Sequence, residues 1–211
     1  HILHLSTKEE LELLDQGSRK EKRITGEVCI HHLWFNDEAY SSKGNRVKWN
    51  PAIKTEADRQ ALLRALNSNR LDIIATDHAP HLPEEKNGVY TKAASGGPMV
   101  QHSLPVMLQL IENGEITIEN IVDKMCHAPA DIFRIQQRGY LREGYKADIV
   151  IVEKNPWTVT KENLLYKCGW SPLEGTTLSY RINTTIVNGH TVYQEGKFDE
   201  THRGELLTFE G

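Results

Sequence analysis

Cysteine is scarce. The 211 residues hold three (Cys29, Cys126 and Cys168), an odd number, widely spaced and without a C-x-x-C pair. That argues against a disulfide scaffold and a cysteine zinc site, and for a reducing compartment. No apolar run approaches the roughly 20 residues a bilayer span needs, which argues against an integral membrane protein. Neither charge sign dominates: 25 Lys+Arg against 29 Asp+Glu give −4, and this mild acidity leaves no electrostatic footprint for nucleic acid. No repeat of 20–50 residues and no low-complexity segment is found. No signal or transit segment is visible either. With 38% hydrophobic and 26% charged residues the chain is globular in composition, so disorder is not expected. The first residue is His rather than Met, and His1-Ile-Leu-His4-Leu5 reads as a strand already under way. An upstream part of the protein is therefore expected.

The first half repeats a short apolar strand, a turn and an amphipathic helix. After the strand at 1–5, Ser6 with Glu9 and Thr7 with Glu10 offer overlapping capping boxes for a helix through Leu11 and Leu14. A second strand is predicted over 24–30. Thr55-Glu56-Ala57-Asp58 caps a helix with Leu62, Leu63 and Leu66 on its apolar face. Residues 71–76 are apolar apart from Asp72 and Thr76, which suits a strand covered on both faces of a parallel sheet. A long Pro-, Gly- and charge-rich loop follows over 77–99, the length class in which loops tend to be functional or disordered. Helices are predicted around Leu104–Ile111 and Ile118–Met125, with a short one over 128–135. Beyond Gly139 the pattern turns to β: 147–152, then 181–187 and 191–194 flanking the turn pair Asn188-Gly189.

Strand–helix alternation implies an α/β fold with parallel strands, in an open sheet or a barrel. A (β/α)8 barrel typically takes about 250 residues. The roughly three strand–helix units here supply at best the last strands of one.

Asp72-Ile-Ile-Ala-Thr-Asp77-His78-Ala-Pro-His81 is the sharpest chemical signal: a buried strand ending in a carboxylate and two histidines. Barrel enzymes place reacting groups at the C-terminal ends of strands, and a carboxylate there can both bind a metal and move a proton. The alternative is that Asp77 caps a turn and the histidines are surface residues. His4 is a second signal, an imidazole at a strand end just before a helix cap and a natural zinc ligand. Taken singly, a strand-end histidine is more often structural.

His1-Ile-Leu-His4-Leu-Ser-Thr and Ala75-Thr-Asp77-His-Ala-Pro-His81 resemble the last two metal-site motifs of the amidohydrolase superfamily. Within it they are closest to the dihydroorotases of pyrimidine biosynthesis. The resemblance runs over essentially the whole chain. It includes Glu27-Val-Cys-Ile-His-His32-Leu, Trp49-Asn50-Pro51, the Gly96-Gly97 loop with Ser103-Leu-Pro105, and Ala128-Pro-Ala-Asp-Ile-Phe133. It extends through Gly144-Tyr-Lys-Ala-Asp148 and Cys168-Gly-Trp-Ser-Pro172-Leu-Glu-Gly175.

The resemblance implies the C-terminal part of a (β/α)8 metallo-dependent hydrolase barrel over 1–138, and a small C-terminal β-sandwich module over 139–211. It implies two zinc ions per complete site, with His4 and Asp77 as metal ligands and Asp77 also as catalytic base and acid. Asn50, His81, Ser95 and Gly96 would bind the substrate, N-carbamoyl-aspartate or dihydroorotate. His31 and His32 are given a structural role, and His78 is expected to brace its loop. The paired His-x-His, the bridging ligand, a further histidine and the substrate-gripping arginine have no counterpart in these residues. They are expected upstream of residue 1, so the chain alone is expected to be inactive and to need the N-terminal half of the same enzyme. A cytoplasmic homo-oligomer is expected, with neither nucleic acid nor membrane as partner. Alternatives are a hydantoinase, dihydropyrimidinase or allantoinase, or a non-catalytic homologue serving as a structural partner.

Overall fold

The computed structural model describes residues His1–Glu210. Parallel pairing begins where the sequence places it, but the strands are short. Strand β1 (Glu27–Cys29) pairs in parallel with β2 (Ile73–Ala75), Val28 opposite Ile74. On the other side of β1 the first segment contributes one parallel bridge, Ile2 to Gly26, backed by Leu5 N–H donating to the Glu27 carbonyl at 2.9 Å. Three consecutive parallel segments thus lie side by side, first segment–β1–β2. The first stops being a strand at His4, whose φ of 39° leaves the extended region.

Helix α1 (Ile30–Trp34) starts directly from β1, and α2 (Ala39–Lys43) follows. Helix α3 (Glu56–Asn67) forms as expected. The Thr55 side chain accepts from Asp58 N–H, and Asp58 returns to Thr55 N–H, a reciprocal box that satisfies two orphan donors. The predicted helix after Ser6 is only a 3-10 turn over Glu10–Leu13. Its box does form, Thr7 N–H to Glu10 Oε2 at 2.9 Å. Propagation fails because Gly17 soon ends the segment and only Leu11 and Leu14 find the core.

Helix α4 (Ser103–Glu112) buries Val106, Met107, Leu108 and Leu110. The predicted 118–125 helix is α5 (Ile118–Val122), continued by a wide turn with π geometry over Asp123–His127 into α6 (Ala128–Ile132). The last four strands, β3 (Ile149–Thr158), β4 (Thr177–Val187), β5 (His190–Gln194) and β6 (Lys197–Phe198), form one antiparallel sheet in that order. Residues 139–211 contribute this one four-stranded sheet, which is one layer of the sandwich that was expected. Helix α4 packs on β4. The β4–β5 hairpin turns on Asn188 and Gly189 at φ 53° and 83°, the two positive values a type I′ turn requires.

One hydrophobic cluster runs from Leu5 through Val28, Leu66, Met107 and Leu110 to Leu178. No helix among the described residues is long and apolar enough to cross a membrane.

Candidate active site

The parallel segments share a direction, so their C-terminal ends open on one side. His4 and Asp77 both lie there, each two residues beyond the last paired residue of its segment (Ile2 and Ala75). Both have left-handed backbones, φ 39° and 43°. For residues other than glycine this costs of order 1–3 kcal/mol and persists only where the surroundings enforce it.

Between them stands Glu27 of β1, which the sequence reading left without a role. His4 N–H points at Glu27 Oε1 from 3.4 Å, and His1 Nε2 lies 3.2 Å from Oε2. Burial raises the Glu27 carboxyl above its ordinary range. His4 pulls it back, while the Asp77 charge pushes it further up. His4, Glu27 and Asp77 therefore form one electrostatic group. Period-two alternation along β1 puts Glu27 and Cys29 on the same face. The signal for Glu27 was present, a carboxylate in the Glu27-Val-Cys run.

His81, Gly96 and Ser95 belong to a neighbouring loop cluster. His78 pairs in parallel with Gly97, and Ala79 N–H donates to the Gly97 carbonyl. A Cβ on Gly96 (φ 115°) would lie 2.6 Å from the Ala79 Cβ and 3.4 Å from His81 Cδ2, so only glycine lets the strands of loop approach. Trp170 Nε1 donates to the His81 carbonyl at 2.7 Å. Lys86, 4% exposed, donates to the Lys48, Ala94 and Gly96 carbonyls at 3.1, 2.8 and 2.7 Å, tying this loop to the segment before Trp49. Burial, then the nearby Lys48 charge, lowers its ammonium to about 8. Nothing in the sequence marked Lys86, a lysine in a charged loop. Asn50 is exposed beside buried Trp49, and its side chain has no protein partner among the described residues. His78 braces its loop: its Nδ1 accepts from Met99 N–H at 3.1 Å.

His31 and His32 are wholly interior. The His31 ring stacks on Trp49 (centroids 4.3 Å, 8° between planes). Neither of its nitrogens makes a hydrogen bond of good geometry, nor does His32 Nδ1. Burial, then the neighbouring His32 and His4, holds His31 well below the ordinary imidazole value, and burial lowers His32 to about 4. Unpaired buried polar atoms cost about 1–3 kcal/mol each. Burial and the Glu27 and Asp77 carboxylates push the adjacent Cys29 thiol up.

For a metal, the donor chemistry at the open end fits. An imidazole and carboxylates are oxygen and nitrogen donors of the kind zinc takes. The Asp77 charge pushes the Glu27 carboxyl up, a field that a cation relieves.

Parallel segments with an imidazole and a carboxylate just beyond their C-terminal ends match the α/β enzymes whose loops build the reaction face. The particular lineage follows from comparison: the chain belongs to the amidohydrolase family, whose profile matches residues 1–192. It is similar to a dihydroorotase of Pyrococcus furiosus, 36% identical over 212 residues, covering 100% of this chain and 49% of that protein. A dihydroorotase of Anaplasma phagocytophilum is 34% identical over 195 residues, covering 92% and 43%. Among solved structures, the L-hydantoinase (dihydropyrimidinase) of Arthrobacter aurescens superposes with a TM-score of 0.85 at 26% identity, covering 93% of this chain and 45% of that one. The chain spans about half the length of the curated relatives it matches.

Proposed function

We propose that this chain is the C-terminal portion of a zinc-dependent dihydroorotase, which interconverts N-carbamoyl-L-aspartate and L-dihydroorotate in pyrimidine synthesis. In this reading residues 1–138 close a (β/α)8 barrel and 139–211 form its β module. The observation that carries the reading is that His4 and Asp77 lie just beyond the ends of parallel segments flanking β1, both in left-handed conformations and both acting on the Glu27 carboxyl. The relatives at 34–36% identity favour dihydroorotate over hydantoin as substrate.

His4 and Asp77 would hold metal, with the remaining ligands supplied by the N-terminal half. Zinc, when bound, supplies charge that polarises the amide carbonyl and acidifies the attacking water. Asp77 Oδ takes the proton of that water and hands it to the departing amide nitrogen. In ring closure the same oxygen removes the proton of the carbamoyl nitrogen. The Asn50 amide and the His81 ring hydrogen-bond the substrate, and the backbone at Ser95–Gly96 closes over it. Lys86 fixes that backbone from behind.

The test uses the full-length enzyme. Asp77→Asn should lower the rate on dihydroorotate at least by the 10²–10⁴ that acid–base work contributes. Dihydroorotate should be turned over faster than hydantoin or dihydrouracil, and the 211-residue chain alone should be inactive. A loss under tenfold removes Asp77 from the proton path, and preference for hydantoin reassigns the substrate.

A further inference from the structure

The buried knot behind the strand ends has a chemistry that the proposed activity does not use. Cys29 ends β1, and His31 and His32 stand in the first turn of α1, so the strand-to-helix junction turns all three inward. Their exposures are 0%, 0% and 2%. One donor atom from each lies within 4.8 Å of the other two.

Three imidazole nitrogens here make no hydrogen bond of good geometry, both of His31 and Nδ1 of His32, although the Thr76 backbone lies close to the His31 ring and the Ala52 backbone to the His32 ring. Most buried polar groups are paired, and a cluster of exceptions calls for an ion, a water or a chemical role. The tautomer of His32 narrows the choice. Its Nε2 lies 3.1 Å from the Pro51 carbonyl, which can only accept, so Nε2 carries the hydrogen and Nδ1 offers a lone pair. An imidazole held through one nitrogen by a backbone carbonyl, with the other free, is how metal-ligating histidines are oriented.

We propose that Cys29, His31 and His32 form a second metal site, distinct from the His4–Asp77 pair, that takes a divalent cation of the zinc class. One sulfur and two imidazoles suit a borderline-soft ion rather than magnesium or calcium. Zinc bonds of about 2.3 Å to sulfur and about 2.0–2.1 Å to nitrogen require the donors to close in by about an ångström from the outer separation, within reach of side-chain rotation. Binding exchanges the thiol S–H bond for a sulfur–metal bond and releases that proton to solvent. Because all three residues are interior, the ion enters during folding and leaves slowly. The cysteine spacing hid the site, because its partners are histidines in the same segment rather than other cysteines.

The site stands or falls independently of the dihydroorotase reading. The full-length protein is refolded with zinc or cobalt(II), then passed over a chelator. Expected are a retained equivalent of metal beyond that of the His4–Asp77 site, a zinc-edge absorption spectrum with a sulfur contribution at about 2.3 Å, and a sulfur-to-cobalt charge-transfer band in the near ultraviolet. Cys29→Ser should abolish the band and weaken retention by more than the roughly 10–100-fold that outer-shell losses cost. His4→Ala and Asp77→Asn should leave the band in place. A first shell of nitrogen and oxygen only, or a band that survives Cys29→Ser, overturns the proposal. If Cys29→Ser does not fold, the zinc-edge spectrum of the unaltered chain decides alone.

Discussion

Asp72→Ala probes the opposite end of the parallel segments. Asp72 precedes β2 and is 1% exposed. Its Oδ1 lies 2.8 Å from Lys22 Nζ, with both side chains 2% exposed, and its Oδ2 accepts from Gly26 N–H at 3.0 Å. Lys22 also donates to the Asn69 and Arg70 carbonyls at 2.6 and 3.0 Å. Removing one partner of a buried pair costs about 3–5 kcal/mol, because the other charge stays buried without compensation. Lys22 keeps its two carbonyls, which limits the loss, but Gly26 N–H is orphaned, adding about 1–3 kcal/mol. The net expectation is about 3–4 kcal/mol, a large share of the roughly 5–15 kcal/mol of a typical domain. Urea unfolding of Asp72→Ala, Lys22→Met and the double variant measures it, the coupling being the non-additive part. A loss below about 1 kcal/mol, or the same loss in the Lys22→Met background, refutes the role given to this pair.

Gly96→Ala should destabilise by about 1–3 kcal/mol, since the new methyl meets Ala79 and the φ of 115° disfavours any side chain. Thermal melts and proteolysis within 79–97 report it, and wild-type behaviour would mean the loop does not pack this way. His102 gives a pH signature. Burial lowers it from 6.5 to about 4, and its Nδ1 shares a hydrogen bond with the Tyr166 hydroxyl at 3.0 Å. Between those values the unfolded chain binds the proton and the folded chain does not. This contribution is therefore whole above about pH 6.5, is lost as pH falls towards about 4, and then levels off, with a slope of about 1.4 kcal/mol per pH unit. His102→Gln should flatten the measured slope by that amount over that window, and an unchanged slope places the titration elsewhere.

Much of the scaffold is legible in the residues because local and tertiary preferences agree. Thr55 and Asp58 close a box with only each other, and Asn188-Gly189 tolerate the backbone their turn demands. Where they disagree, tertiary structure wins. Strand β3 runs on to Thr158 through Pro156, which lacks a ladder donor, because a register shift between Lys154 and Trp157 leaves that residue unpaired. The same holds at the site. His4 and Asp77 are visible as strand-end donors. Glu27 becomes meaningful only once β1 lies between their two segments. Lys86 becomes meaningful only once three carbonyls from distant positions surround it.

The parallel segments divide their labour along their length. At the N-terminal ends, Asp72 pairs with Lys22 and accepts from Gly26 N–H. At the C-terminal ends His4 and Asp77 hold left-handed backbones, and the Asp77 charge reaches back to the Glu27 carboxyl at the start of β1. Such backbones persist only where the surroundings enforce them, and here they recur at equivalent positions of the two segments flanking β1. The middle segment lacks one because its chain passes straight from Cys29 into α1. That passage points the Cys29, His31 and His32 side chains inward instead. Paired charges therefore lie where the segments begin and the imidazole and carboxylate donors where they end, the polarity expected of a barrel wall whose open ends carry the chemistry.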